Sequence, residues 1–275
     1  MGQEVPPMTT ATRVDPTNGT TDEVAYFGAA PRMYGALHRP AGEPRAGLVV
    51  CPSVYGELVN IYRMEVIQSR HLAAKGIAVQ RFHYRGDGNS EGGIELLSLD
   101  LLVRDAGDAH LALVDRTGVG SVGFLGAGMG ALVAATAAER NPGAPLVLWH
   151  PQLNGSDFFR AEQMIDKTDA DGYLRLLGFT LHRNLLHSLI GRNLVDALHT
   201  PRPVLIVQMA GGEEPSEGIT ALADVWRGRG ADVTVAAVGG NSKWWDSNEN
   251  WQSHETRGRT QRTLEVATDW IVAHL

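Results

Sequence analysis

Cysteine is almost absent from this chain: Cys51 is the only one in 275 residues. A disulfide framework within the chain and a four-cysteine metal site are therefore excluded, and Cys51 reads as a small core residue at the end of a strand. Lysine is scarce as well. Lys75, Lys167 and Lys243 are the only three, and the remaining basic residues are arginines. That bias, with abundant alanine, glycine and valine, points to a GC-rich bacterial genome. The formal net charge of −7 excludes a basic surface for nucleic acid or an anionic membrane. No apolar run is long enough to cross a bilayer. Residues Met1–Glu23 lack a positive segment followed by an apolar one, so they read as a disordered tail and not as a secretion signal. Met8 offers an alternative start, and the expected location is the cytoplasm.

What the chain does contain is an apolar content of 43%, enough for a full core, at a length that fits one large α/β domain. Strand-like runs fall at Arg32–His38, Gly47–Cys51, Ala78–His83, Ser121–Leu125, Leu146–His150, Val204–Met209 and Val233–Val238. Helical patterns lie between or after them at Arg63–Lys75, Leu99–Asp115, Ala131–Arg140, Ile219–Arg227 and Arg259–His274. Short, continuously apolar strands alternating with helices call for a mostly parallel sheet covered on both faces. The Arg32–His38 run is expected to pair antiparallel at the edge. Residues 154–200 interrupt the alternation with Phe158, Phe159, Tyr173, Phe179, His182 and His187. They are expected to form a short cap, inserted after the sixth strand, over the mouth of the sheet. The expected organisation is a tail over 1–23 and one domain over 24–275.

Gly126-Ala-Gly-Met-Gly130 stands between the strand Ser121–Leu125 and the alanine-rich helix. Strand, sharp turn and helix, with small residues at the turn, is the setting of the nucleophile elbow Gly-x-Ser-x-Gly, and Gly128 occupies the serine position. Such a chain keeps the geometry and lacks the hydroxyl of an acyl-enzyme. A side chain in an elbow stores about 1–3 kcal/mol of strain, which glycine relieves; its absence also enlarges the pocket floor. Through Ala131 the same residues satisfy the dinucleotide pattern Gly-x-Gly-x-x-Ala. That reading fails on context, because the segment lies several strands into the sheet and the next strand ends in Trp149-His150-Pro151, with no acid for a ribose. No cofactor is expected. Metal is not expected either, since His182 and His187 are five residues apart on a cap helix, not three or four.

Four strand-end segments carry a resemblance. They are Val49-Val-Cys-Pro-Ser-Val-Tyr-Gly-Glu57, Arg81-Phe-His-Tyr-Arg-Gly-Asp-Gly-Asn-Ser90, Gly123-Phe-Leu-Gly-Ala-Gly-Met-Gly-Ala131 and Leu146-Val-Leu-Trp-His-Pro151. From about Gly47 to Leu275 the chain resembles the α/β-hydrolases, in particular their serine-aminopeptidase-like and exosortase-associated branch. The resemblance implies an α/β-hydrolase fold with its site at the carboxyl ends of the strands. It also implies a serine–histidine–acid triad, from which this chain departs. Gly128 stands at the nucleophile position. The final-strand loop, usually a Gly-His pair in the family, reads Gly239-Gly-Asn-Ser-Lys-Trp-Trp245. His83 replaces the aspartate of the family's Phe-Asp-Tyr-Arg-Gly. Glu213 or Glu214 fills the acid position, and His254 stays open as a base folding back from beyond the last strand.

An oxyanion hole survives such a change, because it is built from backbone N–H groups: one from Met129 at the helix start, one from the Val54/Tyr55 turn. A hole with one acid or base can support proton transfer, C–C bond formation, elimination or isomerisation without a cofactor. The catalytic candidates are Met129, Tyr55, His150 and Glu213. The substrate-binding candidates are Val54, Glu57, His83, Gly128, Trp244 and Trp245, the indoles stacking on a planar ligand. Tyr55 and Glu57 are placed to exchange protons, and His150 ends a central strand at the pocket mouth. The expected function is a cofactor-independent enzyme of α/β-hydrolase fold acting on a small organic molecule in natural-product tailoring. An esterase or thioesterase using activated water, or one whose nucleophile was removed, remains an alternative, as does a catalytically silent binding protein. The expected partner is a small-molecule substrate, without nucleic acid or membrane, and a homodimer is left open.

Overall fold

The computed structural model describes residues 10–176, 178–209, 212–239 and 254–275. In chain order the strands are β1 (Ala11–Val14), β2 (Thr21–Phe27), β3 (Met33–Arg39), β4 (Ala46–Cys51), β5 (Ile77–Phe82), β6 (Val122–Ala127), β7 (Leu146–Trp149), β8 (Tyr173–Leu176), β9 (Phe179–His182), β10 (Pro203–Gln208) and β11 (Asp232–Ala237). The helices are α1 (Tyr55–Ala74), α2 (Leu99–Thr117), α3 (Gly130–Glu139), α4 (Ala161–Ile165), α5 (Arg183–Leu189), α6 (Glu217–Gly228) and α7 (His254–His274). Nine strands form one sheet in the order β1-β2-β3-β5-β4-β6-β7-β10-β11. From β5 to β11 every pairing is parallel. This is the α/β-hydrolase architecture expected from the alternating pattern.

The central strands β4, β5 and β6 are buried at every residue. A parallel strand covered on both faces has no solvent side, so its sequence reads as a continuous apolar run. Helices α2, α3 and α6 pack on one face, and α1 and α7 on the other. Local signals place several helix ends: Ser98 caps α2 by accepting the N–H of Leu101 at 3.3 Å, and Gly118 ends it in the left-handed conformation.

Three expectations need correction. Residues 11–14 and 21–23, read as tail, belong to β1 and β2, which pair antiparallel onto β3. They escape detection because β1 is exposed throughout and β2 only half-buried, so neither carries an apolar run. Residues 1–9 lie outside the described residues. Consequently β3 is antiparallel but not the edge, a place taken by β1. The third concerns α1, which begins at Tyr55, eight residues before the expected start at Arg63.

Between β7 and β10 the chain leaves the sheet, after the seventh strand and not the sixth; the Leu146–Trp149 strand is the fifth of the expected runs, and the two amino-terminal strands make it the seventh. It forms a 3-10 segment (Gly155–Arg160), α4, the β8–β9 hairpin, α5 and a 3-10 turn (Val195–Ala197). Phe158, Ala161, Leu181, Leu185, Leu186 and Leu189 are buried in the same cluster as α2 and α3. The segment is thus packed on the domain.

Candidate active site

The site is assembled where β4, β5, β6 and β7 end. At the end of β6 the chain turns at Gly128, whose φ is +56°, a conformation that favours glycine. Its N–H donates to the Trp149 carbonyl at 3.0 Å, which locks the turn to β7. Gly130 opens α3 so close to the neighbouring strand end that a Cβ there would lie 2.5 Å from the Cys51 carbonyl oxygen. Strand, turn and helix therefore make a true elbow.

The carboxylate of Glu57 fills the space above that elbow. A Cβ on Gly128 would stand 2.5 Å from Glu57 Oε2. The same oxygen accepts the Met129 N–H at 3.1 Å and the Ser53 hydroxyl. Oε1 accepts from the Gln152 amide, which follows β7. Glu57 keeps some accessible surface, but its carboxyl group lies deep among protein atoms, and that burial pushes its pKa above the usual glutamate value. The hydrogen bonds from Ser53, Met129 and Gln152 pull the other way without cancelling it. The outcome is a carboxyl group that holds its proton to higher pH than an ordinary glutamate.

A second carboxylate serves the β4–α1 turn. Tyr55 opens α1 at φ +55°, which a tyrosine adopts only at a cost of about 1–3 kcal/mol. Burial raises the nearby Asp87 carboxyl to about 6, against the pull of the backbone N–H groups of Gly88 and Tyr55. Its loop is fixed by Arg85, which donates its backbone N–H to Asp105 at 2.8 Å and a guanidinium N–H to the same carboxylate at 2.5 Å. Tyr84 adds a bond from its hydroxyl to the Pro52 carbonyl at 2.8 Å. Of the two backbone donors expected to form an oxyanion hole, the Met129 N–H is thus bound by the chain's own Glu57.

The Tyr55 ring lies under the cap, 6.3 Å from Phe159 and 6.2 Å from Phe179 between centroids. The residue is 6% exposed, and among the described residues its hydroxyl has no hydrogen-bond partner. Burial pushes the phenol well above its ordinary pKa, so it stays protonated. A buried hydroxyl without a partner carries a desolvation cost. Tyr55→Phe is therefore expected to stabilise the fold by about 1 kcal/mol, read as a raised midpoint in denaturant; a lowered midpoint would show that the hydroxyl is satisfied.

The other candidates are scattered. Val54 is buried as the residue preceding α1. His150 ends β7 at φ +41°; its N–H donates to Val207, and its Nδ1 accepts the Met209 N–H at 3.4 Å, anchoring the ring to β10. Burial lowers it to about 4, so it is neutral. His83 is lowered to about 4 by burial and then by Arg81. Its Nδ1 accepts the Asn89 N–H at 2.9 Å, closing the turn after β5. Glu213 is exposed, as is Glu214. Trp244 and Trp245 lie outside the described residues; His254 opens α7, but its side chain also falls outside them. Ser53, Asp87 and Gln152 were not foreseen. Only Asp87 carried a signal, the Arg85-Gly-Asp-Gly turn. Among the described residues no cluster of three His, Cys, Asp or Glu suits a metal ion, and no helix is long and apolar enough to cross a membrane.

Residues 42–183, more than half of the chain, match the serine aminopeptidase family, S33. The chain belongs to this family. No curated protein matches it in sequence. Among solved structures, this S33-family chain resembles Est1E from Butyrivibrio proteoclasticus with ferulic acid bound, at 19% identity and a TM-score of 0.59, covering 87% of this chain and 98% of that one. It also resembles the esterase Pf2001 of Pyrococcus furiosus, at 12% identity and a TM-score of 0.59, over 98% and 95% of the two chains. A protein of Pseudomonas aeruginosa, PA2218, is similar at 13% identity and a TM-score of 0.61, over 98% and 94%. Identities this low establish a shared fold. The S33 match covers the elbow, the β4–α1 turn and the Asp87 loop, so all three strand-end segments around Glu57 lie inside the family region.

Proposed function

We propose that this S33-family protein is a cofactor-independent enzyme acting on a small organic molecule, in which Glu57 and not an elbow serine handles the reacting proton. The observation that carries this is the Glu57 carboxylate on the Met129 N–H, in the space a side chain at 128 would enter. Carboxylates with raised pKa values in a crevice suit general acid–base work. Isomerisation, elimination and C–C bond formation all start from such a transfer, and natural-product tailoring is the metabolic setting in which we place them. In this reading the nucleophile has been given up, and the Met129 donor serves to orient the base.

Two assays on the unmodified chain test this. The first follows deuterium uptake from heavy water into small ketones and β-keto thioesters by NMR; the second follows nitrophenol release from nitrophenyl esters. Exchange that disappears in Glu57→Gln, with silent esters in both proteins, is the expected result. Ester turnover that vanishes in Glu57→Gln would instead establish a hydrolase in which Glu57 activates water. Ester turnover indifferent to Glu57 would overturn the role of Glu57 altogether.

A further inference from the structure

Building on the reading of Glu57 as the base, we propose that the Tyr55 phenol donates a hydrogen bond to the carbonyl oxygen of the substrate, so that the substrate is a small carbonyl compound with an acidic hydrogen on the adjacent carbon. An enolate needs a donor at its oxygen. The Met129 N–H is held by Glu57 at 3.1 Å, and the Tyr55 N–H is drawn toward the buried Asp87 carboxyl. The side-chain donor in this turn is the Tyr55 hydroxyl, 94% buried with its residue and without a partner among the described residues. Orphaned buried polar groups are rare in native proteins and call for an explanation. A substrate oxygen supplies one.

The backbone supports the same role. Tyr55 is held in a strained conformation, φ +55°, with its ring packed against Phe159 and Phe179. Strain at a single residue persists where the surroundings over-determine it, and it concentrates at functional positions. Glu57 lies two residues further along α1, directed at the elbow, while the Tyr55 ring is directed at the cap. In the proposed complex the substrate lies between elbow and cap, with its α-carbon at Glu57 and its oxygen at Tyr55. In the reaction a Glu57 carboxylate oxygen takes the proton from the α-carbon. The C–H electron pair shifts into the C–C bond, and the carbonyl pair moves onto oxygen, which the Tyr55 O–H stabilises. Where the substrate is β,γ-unsaturated, Glu57 returns the proton to the γ-carbon of the dienolate, completing an isomerisation; where it carries a β-leaving group, the enolate expels that group and Glu57 hands it the proton, completing an elimination. Neither outcome needs an oxidant, a reductant or a second substrate.

The test uses 4-nitrophenolate, a planar oxyanion that mimics an enolate and whose absorbance reports its state. It is titrated, at mildly alkaline pH, into the full chain, Glu57→Gln, Tyr55→Phe and the double variant. Glu57→Gln imitates the protonated base and removes a charge that repels the probe, so its Kd is expected to fall about tenfold or more relative to the parent. Adding Tyr55→Phe is expected to lose at least about tenfold of that affinity. An unchanged Kd in the double variant would overturn the role of Tyr55 and leave Glu57 standing. A Glu57→Gln protein that binds no better than the parent would overturn the reading of Glu57 itself. Absence of binding by all four proteins would overturn the inference. Tyr55→Phe removes only an atom without a protein partner, so loss of folding does not confuse the comparison.

Discussion

Glu57→Gln is expected to lower the rate of α-proton exchange by about 10²–10⁴, the range that a positioned general base contributes. The change is nearly isosteric; it removes the titrating proton and turns one acceptor oxygen into a donor, which Gln152 can meet by turning its amide oxygen toward it, so the fold should survive it. The pH profile gives an independent sign. In the proposed role Glu57 is a base when ionised, and burial holds its pKa above the usual glutamate value. Activity should therefore rise with pH through that raised value, not through the ordinary carboxylate range. The Gln152 amide bonds the charged form, and a bond to the charged form lowers a pKa. Gln152→Leu should thus move the acidic limb to higher pH while sparing much of the plateau rate. A limb that stays in place, or moves down, would show that another group titrates.

The largest loss of stability is expected at Gly130. A Cβ there would lie 2.5 Å from the Cys51 carbonyl and 2.7 Å from that of Pro52. Both belong to the backbone at the end of β4, a central strand paired on both sides. Relief requires α3 to separate from the sheet, which opens a core lined by Ala131, Ala134, Ala135 and Ala138. Gly130→Ala should cost about 3 kcal/mol or more, or leave no soluble protein. Gly128→Ala meets only the end of the Glu57 side chain, which can swing away. Its cost is the backbone strain at φ +56°, about 1–3 kcal/mol. Denaturant unfolding of the two variants ranks them; equal midpoints would mean that α3 does not approach β4 this closely in solution.

The frame of the site was legible in the sequence, and its contents were not. A sharp Gly-Ala-Gly-Met-Gly turn between a strand and an alanine helix specifies an elbow, because only small residues let β6 and α3 approach. Glu57 was marked as a substrate contact in the β4–α1 turn. Its carboxylate reaches Met129 across 72 residues of sequence, and nothing local to either residue announces that meeting. Gln152 and Ser53 are likewise defined by what they touch. His83 and His150 drew attention as strand-end histidines, yet each uses its Nδ1 to accept a backbone N–H, which is how many buried histidines are satisfied. Strands β1 and β2 were missed because edge strands with little buried surface carry no apolar period.

The contact between Glu57 and the turn at Gly128 also has an evolutionary consequence. Positions 57 and 128 share one volume, so neither can be altered on the same terms while the other is kept. A serine arriving alone at 128 would push the carboxylate aside, and a shorter residue arriving alone at 57 would leave the Met129 N–H and the Ser53 hydroxyl without their acceptor. Effects at neighbouring sites of this kind are not additive. Whichever of the two positions changes first therefore alters what a change at the other costs, and the elbow and the carboxylate above it are coupled in any sequence that keeps this fold.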